Sequence, residues 1–410
     1  MAMPDRFSAK PSKDKFARMV SNALRDAGIR GELNYHSEGF AIVFKIADGT
    51  SFTANLDNIY TDFGEANKEH RNAELKKYAA GIVAIQLSPP ADYQIAKRNL
   101  LPLVRSAIDD LGTLRHFEEG DVEEPSVSSQ PLIADIVVQL GFDSEHSICR
   151  IAPQQLNVWG VTFEQALSDA VENLRDRTTD EWSKIGSGAF RGRWQDHYDT
   201  SRVLLLDCLY RLPIAGDPVV LLPTRATLLV TGADDREGQR LIIAAAEQAL
   251  KQQSRRISLS MLRYTGTAWQ VFMPEGPPGE RLLALQQESL AQDYEHQKAV
   301  LDKAHEAADV DVYVPAYSLI SKDGSKKVIS YGTWMKDVDA LLPVTDIIIF
   351  VKRGETQTAI VETAAIPWDT AMNAVGALMK QTNHMPARWR VCGFPDPALF
   401  EHFKAISVIK

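Results

Sequence analysis

Residues 1–88 alternate between helical and strand-like patterns of apolar positions. Apolar residues recur every three or four positions before Gly28, which predicts an amphipathic helix that ends there. The stripe consists of Phe16, Met19, Val20, Ala23, Leu24 and Ala27. Three strand-like segments follow, at 32–35, 40–46 and 51–56. With Asp48-Gly49 as a hairpin turn and a second helical pattern over 75–87, we expect a helix, a three-stranded meander and a covering helix.

Residues 131–273 again mix short strands with amphipathic helices. Strands are predicted at 132–140, 147–151, 218–222, 227–230, 258–264 and 268–273. Thr162 and Gln165 have the spacing of a capping box, so we expect a helix to begin after Thr162. Two further helices are predicted, one opened by Asp199 or Thr200 and ending at 210, the other opened by Asp234 or Asp235 and ending at 250.

A segment rich in Pro and Gly, 274–279, marks the strongest boundary in the chain, because such residues extend neither a helix nor a central strand. The polar stretch 280–308 predicts a connecting helix. In the last hundred residues the pattern predicts strands at 311–319, 328–331, 346–351, 359–362 and 390–393, and a helix carrying Trp368 and Met379.

These elements predict an α+β fold of small, mostly antiparallel sheets with covering helices. The predicted parts are an N-terminal module (1–88), a linker region (89–130), a central module (131–273), a Pro/Gly boundary with its connecting helix (274–308) and a C-terminal α+β module (309–410).

Composition narrows the functional classes. The chain has 410 residues, is 45% hydrophobic and carries a net charge of −9, which disfavours a nucleic-acid partner. The charge deficit lies in the middle, notably in the acidic run 118–124, a predicted solvated linker. Three scattered cysteines, Cys149, Cys208 and Cys392, suit reduced, buried thiols rather than disulfides or a zinc site. Without a signal-peptide pattern or a membrane-spanning run, we expect a cytoplasmic protein that makes no membrane contact.

Several ordered motifs resemble the YtpQ family of uncharacterised bacterial proteins. The strongest are His197-Tyr198-Asp199-Thr200-Ser201-Arg202-Val203-Leu204-Leu205-Leu206 and Gly216-Asp217-Pro218-Val219-Val220-Leu221-Leu222-Pro223-Thr224-Arg225. Further matches include Trp159-Gly160-Val161 and Leu262-Arg263-Tyr264, so the resemblance covers residues 14–273. It implies an intracellular α+β protein of two family modules without an established activity, to which the C-terminal module is appended.

The segment Asp199-Thr200-Ser201-Arg202 is the best local candidate for a binding site. If Asp199 or Thr200 begins a helix, the first backbone N–H groups and the Arg202 guanidinium are suited to a phosphate or carboxylate. Helix capping alone also explains this sequence, and it is the favoured interpretation. Asp217 or Arg225, from the following hairpin, would complete a pocket.

Other local motifs do not indicate catalysis. His197, Asp199 and Ser201 are too close in sequence to converge as a triad. The glycines and arginines of 186–194 lack the ending of a phosphate-binding loop, and a hairpin is favoured there. No histidine spacing indicates a metal, and no cofactor motif occurs. We therefore expect a non-enzymatic binding or adaptor protein that contacts another protein. The alternative is a hydrolase or phosphate-directed enzyme with a pocket around Asp199, Ser201 and Arg202.

Overall fold

The computed structural model arranges the chain as helices and small sheets. It describes residues 10–37, 39–45, 51–56, 59–60, 63–64, 70–85, 89–109, 127–144, 147–252, 255–321, 328–353 and 362–409. The predicted Asp48-Gly49 turn and the acidic run 118–124 lie outside these residues.

Helices and strands alternate along the described residues. The α-helices are α1 (Lys13–Asp26), α2 (Arg71–Ile85), α3 (Tyr93–Ala96), α4 (Pro153–Trp159), α5 (Phe163–Asp176), α6 (Leu206–Tyr210), α7 (Arg236–Gln252), α8 (Pro277–Ala308), α9 (Trp368–Val375) and α10 (Pro397–Ile406). Short 3-10 helices cover Lys97–Asn99, Ala107–Asp109, Thr200–Leu204 and Gly376–Leu378.

The strands in the first half of the chain are β1 (Leu33–His36), β2 (Ala41–Lys45), β3 (Ser51–Asn55), β4 (Leu100–Ser106), β5 (Ser129–Ile133), β6 (Ile136–Asp143), β7 (Ile148–Arg150), β8 (Trp182–Gly186) and β9 (Ala189–Gly192). Those in the second half are β10 (Pro218–Thr224), β11 (Thr227–Gly232), β12 (Leu262–Tyr264), β13 (Trp269–Val271), β14 (Ser318–Ser321), β15 (Val328–Met335), β16 (Ala340–Pro343), β17 (Ile347–Lys352), β18 (Glu362–Pro367), β19 (Met379–Gln381) and β20 (Arg388–Val391). They form small, mostly antiparallel sheets, which confirms the predicted α+β class.

The N-terminal helix, meander and helix are present as predicted. Strands β1, β2 and β3 pair antiparallel in that order, and α1 packs against α2. The α1 stripe is buried because its apolar positions share one helix face. Its buried members are Phe16, Ala17, Val20 and Leu24.

The predicted linker region, 89–130, includes regular structure. Its hydrophobic segment Leu100–Ser106 forms strand β4, which is fully buried. Strand β6 lies between β4 and β5 and also pairs with β7. The single strand predicted over 132–140 is instead a hairpin that turns at Ala134 and Asp135. The turn depends on a left-handed backbone at Ala134, with φ of 53°, which alanine seldom adopts and which the sequence pattern does not signal.

A six-stranded antiparallel sheet forms the middle of the chain, in the order β13-β12-β10-β11-β9-β8. Helix α7 packs on β10 and β11, both of which are entirely buried. Asp235 caps α7 by accepting a hydrogen bond from the Gly238 N–H, as predicted. The capping box of α5 is also present, with Thr162 and Gln165 bonded to each other's backbone N–H.

The C-terminal region has a mixed sheet, β14-β15-β17-β18, in which β15 and β17 run parallel, and a small sheet, β16-β20-β19. Helices α9 and α10 pack on β18. Trp334 is fully buried in this core, and Trp368 and Trp389 pack at its margin. Helix α10 is an addition to the predicted elements.

Packing divides the described residues into two compact units. The first lies within Met1–Leu103, Ser126–Gln130 and Val138–Asp180, and the second within Val104–Pro125, Pro131–Val137 and Glu181–Lys410. The division into three modules stays a prediction. Among the described helices, none combines the length and the apolar character that crossing a bilayer requires.

Candidate functional site

The predicted binding segment is one of the most deeply buried polar stretches of the protein. Asp199, Thr200, Ser201 and Arg202 are each at most 1% exposed. The predicted helix is broken at Leu205 into the 3-10 helix Thr200–Leu204 and α6. Asp199 does not cap it, because its own backbone is already helical and its Oδ1 accepts a hydrogen bond from the Gln195 N–H instead, at 3.2 Å.

Arg202 is paired within the fold. Its guanidinium donates two hydrogen bonds to Asp196, at 3.0 Å and 2.6 Å, and lies 4.3 Å from the centre of the Trp194 ring. Burial alone would raise the pKa of Asp196, but the bonds and charge of Arg202 outweigh burial and lower it. The cation predicted to bind a phosphate is therefore engaged by a neighbouring carboxylate.

Asp199 is compensated less completely, by the Gln195 N–H and the charge of Arg202. Its Oδ2 is buried and, among the described residues, accepts no hydrogen bond. Burial is the largest influence on its pKa, which is raised, and the nearby charge of Asp196 adds to the effect. The pKa values of the two carboxyl groups in this segment are thus displaced in opposite directions, that of Asp196 downward and that of Asp199 upward.

The hydroxyl groups of the segment bind backbone. Thr200 Oγ1 donates to the Arg225 carbonyl at 3.2 Å, and Ser201 Oγ accepts from the Val104 N–H at 3.1 Å. Ser201 is fully buried, whereas His197 is exposed, so their side chains do not share a surface. We call residues 194–202 the acidic corner.

The two residues predicted to complete the pocket behave differently. Arg225 contacts the acidic corner through its carbonyl group. Asp217 instead accepts two hydrogen bonds from Arg263 on β12, at 2.8 Å and 2.7 Å. The structure therefore brings Asp199, Thr200, Ser201, Arg202 and the Arg225 backbone together and leaves Asp217 in a separate ion pair.

A cavity of about 160 Å³ lies elsewhere in the second unit. Its apolar lining consists of Ile108, Pro223, Leu250, Ile257, Leu259 and Met385. Its polar lining consists of Ser106, Asp135, Arg256, Ser258, Ser289, Asp293, His296 and Gln297. Carboxylate, hydroxyl and guanidinium groups thus meet around an open volume, a combination that the sequence pattern does not predict.

Asp135 is held firmly in the cavity wall. Its backbone carbonyl accepts from the Ala107 N–H at 2.8 Å. Its Oδ1 accepts from the hydroxyls of Ser258 and Ser260, at 2.6 Å and 3.1 Å. The hairpin turn at Ala134 brings the residue to this position.

Helix α8 supplies much of the polar wall. Ser289, Asp293, His296 and Gln297 follow at i, i+4, i+7 and i+8, so they share one helix face. The packed face of a helix is normally apolar, so a polar stripe there is a sequence signal for a polar cavity wall. No sequence signal pointed to Asp135 or Arg256, because the two residues lie in segments that are far apart in the chain.

A third feature is an aromatic group at the open edge of the six-stranded sheet. The Tyr264 ring contacts the rings of Tyr210 and Trp269, at 6.3 Å and 5.2 Å between centres. Val271 lies two positions from Trp269 and so on the same sheet face. Tyr210 is 51% exposed and Val271 57% exposed. We call these four residues the edge patch.

The backbone of β13 adds to this surface. Phe272 donates to the Met261 carbonyl and Thr265 donates to the Ala268 carbonyl across the β12–β13 hairpin. Bonded pairs alternate along an antiparallel ladder, so Gln270 faces β12 while the N–H and C=O groups of Trp269 and Val271 point outward. β13 ends the sheet, and these groups are therefore open to a further strand.

Other predicted features lie outside these three regions. Residues 182–192 form the favoured hairpin, β8 and β9. The thiols of Cys149 and Cys208 are partly buried, but Cys392 is exposed, contrary to the expectation of burial. The described residues hold no group of three or more His, Cys, Asp or Glu side chains arranged for a metal ion.

The chain matches no protein-family model, no curated protein and no solved structure. Membership of the YtpQ family therefore stays a prediction from the motifs.

Proposed function

We propose that this protein is a non-enzymatic, cytoplasmic binding or adaptor protein of the YtpQ family that acts by contacting another protein. The observation that carries the proposal is the edge patch, where Trp269 and Val271 present apolar side chains and outward backbone groups together. A partner is recognised there by adding an extended segment as a further strand beside β13.

The acidic corner argues against the hydrolase or phosphate-directed alternative. A nucleophile or an anion-binding cation needs access to substrate, but Ser201 and Arg202 are fully buried. Their polar atoms bond to Val104 and Asp196. Asp199, Ser201 and Arg202 hold the fold, and the exposed groups are those suited to docking.

Site-specific photo-crosslinking in the native cell tests the proposal. A photoreactive phenylalanine analogue at Val271 should form one discrete covalent adduct with another protein. The matched control is the same analogue at Val158, a valine on α4 that is 65% exposed and lies outside the edge patch. Equal adducts at the two positions, or none at Val271, would refute the proposal.

A second variant separates strand addition from adhesion to an apolar surface. Val271→Pro removes an N–H group that points away from β12, so the existing ladder survives. With the photoreactive group at Trp269, this substitution should abolish the adduct while the melting temperature changes little. An undiminished adduct in Val271→Pro would contradict strand addition.

A further inference from the structure

We propose that the cavity around Asp135 binds a small cationic ligand, a primary alkylammonium with a short apolar body. Neither the proposed docking at the edge patch nor the acidic corner involves these residues. One open carboxylate oxygen, the charge of the lining and the size of the cavity support this assignment.

Asp135 offers a fixed acceptor. Its Oδ1 is taken by Ser258 and Ser260, while Oδ2 accepts no hydrogen bond among the described residues. The carboxylate is held on both its backbone and its side chain, so little ordering accompanies ligand binding. Ser106, 95% buried beside it, accepts one N–H from Ile108 and retains a second lone pair. Both groups accept hydrogen bonds, which suits a ligand that donates several.

The lining also has an excess of negative charge. Arg256 donates to Asp293 at 2.7 Å, and its other terminal nitrogen donates to Ser289 and Gln292. That guanidinium therefore pairs with Asp293, while Asp135 forms no ion pair among the described residues. A charge-assisted bond from an ammonium group to a carboxylate is stronger than one from a neutral donor.

The volume sets the size of the ligand. A cavity of about 150 Å³ is known to accommodate benzene, so about 160 Å³ holds a molecule of roughly six heavy atoms. Leu250, Ile257 and Leu259 supply apolar walls for a short hydrocarbon chain. A four-carbon alkylammonium satisfies both the polar and the apolar parts.

Titration of the full chain with n-butylamine, followed by backbone amide NMR at about pH 8, tests the proposal. The amine is protonated at that pH, and n-butanol is its neutral counterpart of equal length. We expect butylamine to shift amide signals at Ala107, Asp135 and Ile257 with a Kd of about 1 mM, and butanol to bind about tenfold more weakly. Equal binding of the two compounds, or no shift at about 20 mM butylamine, would overturn the proposal.

Asp135→Asn removes the charge but keeps an oxygen for the hydroxyls of Ser258 and Ser260. This variant should weaken butylamine binding about tenfold and leave butanol binding unchanged. Asp337→Asn is the matched control, because the Asp337 side chain is 81% exposed and lies outside the cavity. Unaltered butylamine affinity in a folded Asp135→Asn protein would also overturn the proposal. Because the comparison of amine and alcohol uses the unmodified chain, it tests the site even if a variant unfolds.

Discussion

Two of the Arg–Asp pairs have similarly short N–O distances but different surroundings. In the acidic corner, Arg202 is completely buried and Asp196 is 37% exposed, with 2.6 Å between the paired atoms. In the cavity wall, Arg256 is 32% exposed and Asp293 is 19% exposed, at 2.7 Å. The Arg202–Asp196 pair is largely enclosed by the fold. The Arg256–Asp293 pair instead borders an open cavity, into whose lining Asp135 also brings a carboxylate with one unbonded oxygen.

This difference shows that residue type and spacing do not distinguish a structural ion pair from a binding site. The access of a ligand to the charged side chain decides which of these two roles the side chain has. A buried guanidinium that already has a carboxylate partner cannot be exchanged for a ligand without a large desolvation cost. A carboxylate such as Asp135, anchored on one oxygen and open on the other, can gain a partner at little cost.

The largest expected effect is the loss of the buried pair. Arg202→Met removes the bonds to Asp196 and the contact with Trp194, and we expect it to lower the free energy of unfolding by about 3 kcal/mol. Arg256→Met is the matched control, since its pair is partly hydrated, and should cost about 1 kcal/mol. Urea unfolding of both variants measures the contrast. Equal losses would show that burial does not separate the two pairs.

A smaller effect concerns the buried carboxyl group of Asp199, whose Oδ2 accepts no hydrogen bond among the described residues. Burial raises its pKa in the folded state above the ordinary value of 3.8. As pH rises through that interval, the unfolded chain loses its proton first, so folding stability falls. Asp199→Asn abolishes this loss and should stabilise the protein at neutral pH by roughly 1 kcal/mol.

Thermal unfolding at about pH 4 and about pH 7.5 checks the sign of the Asp199 effect. The advantage of Asp199→Asn over the parent chain should grow with pH, while the exposed control Asp337→Asn should show no such trend. An advantage that shrinks as pH rises would mean that the ionised Asp199 carboxylate is stabilised in the fold.

Local sequence rules predicted those elements whose determinants lie close together in the chain. The capping box at Thr162, the α7 cap at Asp235 and the stripe of α1 each depend on residues a few positions apart. The hairpin at Ala134 was missed because it requires a left-handed alanine, a conformation without a sequence signal.

The candidate site was predictable only in part, for the same reason. Sequence reasoning selected Asp199 to Arg202 as a candidate binding segment, but it predicted neither their burial nor the role of Asp196. The cavity draws Asp135, Arg256 and the α8 stripe from separate segments, and only the tertiary fold brings them together. The polar face of α8 was the one local indication.

The most direct test compares the arginine side chains themselves. NMR signals of the Arg202 and Arg256 Nε–H groups can be followed while inorganic phosphate and n-butylamine are titrated separately. We predict that Arg202 responds to neither compound and that Arg256 shifts with butylamine, because only Arg256 borders an accessible cavity. A phosphate-dependent shift at Arg202 with an unresponsive Arg256 would contradict the account.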